Sequence, residues 1–91
     1  MSNGALSLGV QKDSQISIGP YVMRVIEVLG DGRLVSIEVA DQRFMISEEE
    51  RTEILPEVFV FCGVPSTWNS SFRSRLAFEA PLAIRINRIE V

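Results

Sequence analysis

The chain has 91 residues, enough for one domain that buries about 60–65% of its unfolded surface. With 46% hydrophobic side chains and a mean hydropathy of +0.19 it carries enough apolar surface to fold rather than stay disordered. A net charge of −3 and a pI of 4.9 argue against a broad nucleic-acid-binding surface, and no stretch is long and apolar enough to cross a bilayer as a helix.

Strand signals dominate from the start. Ala5–Val10 and Gln15–Ile18 read as short strands, and Gly19-Pro20 as a turn. Tyr21–Leu29 is rich in Val and Ile, and Leu34–Ala40 alternates Val35, Ile37 and Val39. Between them, Gly30-Asp31-Gly32 is a hairpin signal, because its glycines tolerate positive φ. Arg43–Ser47 reads as another strand. Ser47-Glu48-Glu49-Glu50 then has the form of a helix capping box, and the pattern predicts a short helix over about 48–55, stopped by Pro56.

Glu57–Cys62 returns to strand, and 63–71 is polar loop containing the only tryptophan, Trp68. Trp68 is expected to fold back over the core or to anchor a base or a protein partner. Two alternating segments close the chain, Leu76-Phe78-Ala80 and Leu82-Ile84-Ile86, separated by Ala80-Pro81. Arg88 continues the parity of Ile84 and Ile86, which sets a cation at the end of an apolar row. That cation can pair with an acid such as Glu90 or grip something outside the protein. Offset by forty positions, 40–50 lies over 80–90, with Phe44 on Ile84, Ile46 on Ile86 and Glu48 on Arg88. This is a hint of internal duplication, with halves at 5–54 and 57–91.

The chemistry available is narrow. The chain has no histidine, so the commonest general base, metal ligand and triad member is missing. One cysteine excludes an internal disulfide and zinc sites built on cysteine pairs. Cys62, within Val58-Phe59-Val60-Phe61-Cys62, reads as a small buried apolar residue. Glu48-Glu49-Glu50 reads as solvated, capping charge. No phosphate-binding glycine motif is present. A non-enzyme without metal or cofactor is expected. Charge is unevenly spread: residues 1–64 hold five basic and ten acidic side chains (−5), and residues 65–91 hold four arginines against Glu79 and Glu90 (+2). Any anion-binding face should therefore lie in the tail.

The tail, Arg75-Leu-Ala-Phe-Glu-Ala-Pro81 followed by Ile84-x-Ile86-x-Arg88-Ile89-Glu90-Val91, resembles the end of the carbon storage regulator (CsrA/RsmA) family of bacterial RNA-binding translational regulators. At the front, Leu6-x-Leu8, Ile16-Ser-Ile18-Gly19, then Val22, Val25, Val28 and Gly30 are similar to that family's first three strands. The resemblance covers about sixty residues. It implies a mainly β fold, a small sandwich or barrel of interleaved antiparallel strands, either a single-chain pseudo-dimer or a strand-swapped homodimer.

It also implies a cytoplasmic bacterial protein that binds GGA-containing single-stranded or hairpin-loop RNA, in a messenger leader or small RNA, and blocks translation. Arg88 stands at the family's RNA-contacting arginine, with Leu8, Ile86 and Val91 as apolar support. Members usually carry a basic pair on the first strand, where this chain has Val10-Gln11. Any RNA binding should then be weaker and less salt-dependent than is usual in the family, since each lost phosphate contact shortens the salt slope by about 0.7. The alternative is an acidic relative that has kept the fold and serves as a protein-interaction module or antagonist.

Overall fold

The computed structural model describes residues 3–63 and 74–89. Nine strands follow in order: β1 (Asn3–Val10), β2 (Gln15–Ile18), β3 (Tyr21–Leu29), β4 (Leu34–Val39), β5 (Gln42–Ser47), β6 (Thr52–Leu55), β7 (Val58–Cys62), β8 (Ser74–Pro81) and β9 (Ile86–Ile89). They form two antiparallel sheets, one ordered β1-β8-β7-β6 and the other β5-β4-β3-β2-β9. The protein is mainly β, as the alternation predicts.

Each sheet turns one row of apolar side chains inward. Ile16 and Ile18, Met23 and Val25, Val35, Ile37 and Val39, and Ile46 come from one sheet. Val10, Ile54, Val58, Val60, Cys62, Leu76, Phe78 and Ala80 come from the other. A register shift between Val25 and Glu27 changes the parity of β3, which carries Val28 back against the core.

The two sheets exchange their terminal strands. β1 leaves its sequence neighbours and pairs with β8 from Asn3↔Pro81 to Val10↔Ser74. β9 crosses the other way and pairs with β2 from Gln15↔Ile89 to Ile18↔Ile86. The four-stranded meander β2-β3-β4-β5 and the three-stranded meander β6-β7-β8 are thus each extended by a strand from the other part of the chain. Ser74 adds a pin, since its buried hydroxyl donates to the Gly32 carbonyl at 2.5 Å and ties the β3–β4 turn to the start of β8.

Two expectations need correction. No helix forms over 48–55: Glu48–Glu50 is a bend and Thr52–Leu55 is β6. Ser47 Oγ does accept the Glu49 N–H, at 3.4 Å, but this local turn is not continued. A helix of two turns gains too little from its own hydrogen bonds to stand alone. Pairing with β7 through the Pro56-Glu57 turn buries Ile54 instead. The last strand also starts later than the pattern predicts. Residues 82–85 turn, with the Ile84 N–H bonded to the Pro81 carbonyl at 2.9 Å, and the ladder begins at Ile86.

The β4–β5 hairpin turns on Ala40-Asp41, both at positive φ (51° and 62°). Such a turn favours Asn-Gly, because an L side chain is strained in the left-handed region. Asp41→Gly is expected to stabilise the fold by about 0.5–1 kcal/mol after the extra flexibility of glycine is discounted, read as a higher urea midpoint at unchanged slope.

Candidate RNA interface along the β1–β9 seam

The exchanged strands meet at one flank of the sandwich. Arg75 on β8 accepts the Gly63 N–H through its carbonyl at 2.9 Å, so its backbone groups face β7. Its β1 neighbour Gly9 must then be in a pair whose N–H and C=O point away from β8, along the outer edge. Arg88 reaches that edge. Its Nη2 donates to the Gly9 carbonyl at 2.7 Å in a partly buried bond, and this is not the only interaction Arg88 makes. The bond stitches β9 of one sheet to β1 of the other. Glu90, the alternative partner considered for Arg88, lies outside the described residues.

Leu8 and Ile86 are half-buried and pack against the core, so they support the seam from beneath. Val91 and Trp68 lie outside the described residues. Arg88 thus reaches β1 at the residue that follows Leu8, with the guanidinium engaged on backbone.

The surrounding charge is sorted. Arg24 and Arg43 pair with Glu38, Arg33 with Glu48, and Arg51 with Glu79 at 2.6 Å. Among the described residues Lys12, Arg75 and Arg85 hold no ion pair; Arg75 meets only the Ser7 hydroxyl, at 3.5 Å. Arg75 is on β8, paired with Gly9 of β1, Arg85 immediately precedes β9, and Lys12 lies in the turn after β1. Elsewhere the surface is acidic. Glu48, Glu49, Glu50 and Glu79 line a shallow depression with Arg51 and Phe61, and Arg51 also lies 4.9 Å above the Phe59 ring. Sequence reading missed this Arg51 contact because its partners are distant along the chain.

Where β8 turns into β9, Leu6, Pro81, Leu82, Ile84 and Ile86 surround an apolar pocket over Phe78 and Ala80. Among the described residues no cluster of His, Cys, Asp and Glu is arranged to hold a metal ion, and no helix is long and apolar enough to cross a membrane. No family of known proteins, no curated protein and no solved structure matches the chain.

Cys62 is buried as expected, its Sγ 3.4 Å from the Ile46 carbonyl. Burial pushes the thiol up from its ordinary 9.0 to about 11, with the Glu48 charge adding and the Ser74 hydroxyl opposing. Below pH 9.0 both folded and unfolded thiols stay protonated, and this contribution to stability is fully present. Between 9.0 and about 11 the unfolded thiol ionises first, so the contribution of about 2–3 kcal/mol fades as pH rises. Cys62→Ala should flatten this alkaline loss in urea titrations at a series of pH values. A disulfide reagent at pH 8 should label Cys62 only at the rate of unfolding.

Proposed function

We propose that the protein is an RNA-binding translational regulator of the carbon storage type, in which one chain supplies both strands of the recognition seam. The observation that carries this reading is the Arg88 bridge to the outer edge of β1, which sets the tail arginine beside the opening strand. Single-stranded RNA is read by strand-edge donors and acceptors, apolar surface for bases and a few cations. The seam offers these as the Ser7–Gly9 edge, Leu8 and Ile86, and Lys12, Arg75, Arg85 and Arg88. The exchange of β1 and β9 between meanders favours a single-chain pseudo-dimer over a homodimer with an inserted helix, since the helix is absent. β5 pairs with β4 at the place a second opening strand would take, and Glu48, the counterpart of Arg88, is tied to Arg33. One seam is therefore competent. GGA-containing loops in messenger leaders are the targets this reading implies, and occlusion of the ribosome in the cytoplasm is the outcome.

A second reading has its own support. The carboxylates of Glu48, Glu49, Glu50 and Glu79 gather on one depression, which suits a protein partner and an antagonist role without RNA.

A gel shift with a GGA hairpin separates the two. The unaltered chain should bind, and Arg88→Ala should weaken binding by about 1–3 kcal/mol, roughly 5- to 150-fold, with the fold checked by circular dichroism. Unchanged affinity in Arg88→Ala would remove the RNA role of that residue, and no binding at all would favour the second reading. In the same assay the salt slope should be shallow, as expected for few phosphate contacts; a steep one contradicts the missing basic pair.

A further inference from the structure

The two sheets have four border strands, β1 and β6 in one and β5 and β9 in the other. Three of them carry features that discourage pairing with another chain. β6 and β9 are four residues long, β6 is broken by a register shift between Glu53 and Leu55, and β9 holds Arg88. β5 holds Arg43, and its Ile46 carbonyl lies 3.4 Å from the Cys62 thiol. β1 has none of these. Its eight residues, Asn3–Val10, include no charged residue and no proline, and they pair with β8 in unbroken register. A long, even, uncharged border strand is a template for further β-pairing.

Alternation fixes which groups β1 offers. Gly9 points its N–H and C=O outward, so Ser7, Ala5 and Asn3, at steps of two, do the same. At Gly9 the Arg88 guanidinium already occupies the carbonyl. Among the described residues no backbone hydrogen bond reaches the outward groups of Ser7, Ala5 or Asn3. Two copies of that open row fit each other. Run antiparallel about a two-fold axis at Ala5, Asn3 faces the partner's Ser7 and Ala5 faces the partner's Ala5. Each facing pair can exchange two hydrogen bonds. No like charges meet along this register, because β1 carries none. An unrelated protein would have to supply such a segment, whereas a second copy always does.

We infer that β1 pairs with β1 of a second copy, joining two four-stranded sheets into one through the backbone of Asn3, Ala5 and Ser7. The inference goes beyond the RNA-binding reading and does not rest on it. Gly9 and Arg88 lie outside the paired register. Ser7 is common to this register and the seam, so RNA and a second copy compete for it. Three residues a side is far fewer than the roughly 20–30 of a standard interface, so the association is weak and depends on concentration.

Sedimentation equilibrium of the full chain from about 10 μM to about 1 mM spans such affinities. The mass should rise from 10.2 kDa towards twice that value. Ala5→Pro removes the outward N–H on the axis and leaves the β8 ladder its bonds, and Ala5→Lys sets two ammonium groups opposite each other. Both should hold the mass at 10.2 kDa, with the fold checked by circular dichroism. Amide exchange followed by NMR should slow at Asn3, Ala5 and Ser7 as the unaltered chain is concentrated, and not along β5, β6 or β9. That measurement needs no variant, so it decides the matter even where a substitution spoils folding. A constant mass in the unaltered chain overturns the inference. So does a mass that rises alike in both variants, or protection gained at another border strand in place of β1.

Discussion

The exchange of terminal strands governs this structure. β1 completes the sheet of β6, β7 and β8, and β9 completes the sheet of β2, β3, β4 and β5. Neither meander has its observed width without a strand from the other part of the chain. The Arg88–Gly9 bond links those two strands across the sheets. A strand edge left bare is a template for unwanted pairing, and a guanidinium laid against an edge carbonyl blunts it.

Much of the fold was legible in the alternation of apolar and polar residues. Gln15–Ile18 and Tyr21–Leu29 form with the bounds read from sequence, and Gly30 and Gly32 take the positive φ expected of the turn between β3 and β4. The misreadings share one cause, which is that local signals do not report their tertiary outcome. Ser47 and Glu50 carry the letters of a capping box, and a hydroxyl-capped bend before a strand carries the same letters. Leu82 and Ile84 keep strand parity through a turn, because their side chains rim a pocket and need not join a ladder. Pairing partners were illegible altogether. Nothing near Ser74 announces Gly32, and nothing near Arg51 announces Glu79 and Phe59.

The candidate site was legible unevenly. Arg88 reaches the β1 residue that follows Leu8, and Leu8 and Ile86 both pack against the core, as parity along each strand sets. What the guanidinium would touch was not legible, since Gly9 offers only a carbonyl, which every residue has. Charge counts pointed to the tail as the basic part. Space then separates them further: arginines on β3, β5 and the bends around them are matched by glutamates, while Lys12, Arg75 and Arg85 keep their charge unmatched among the described residues. An overall acidic protein can thus keep some of its cations unmatched, because fields at contact distance depend on arrangement and not on the sum.

The pairing of β1 with β8 joins residues 10 and 74 at the nearest and 3 and 81 at the farthest. A chain emerging from the ribosome would hold β1 unpaired until β8 had been made. Such long-range closure is slow, and the waiting strand is exposed to chaperones or to the wrong neighbour meanwhile. A nascent chain halted before β8 would have no partner for β1 to pair with.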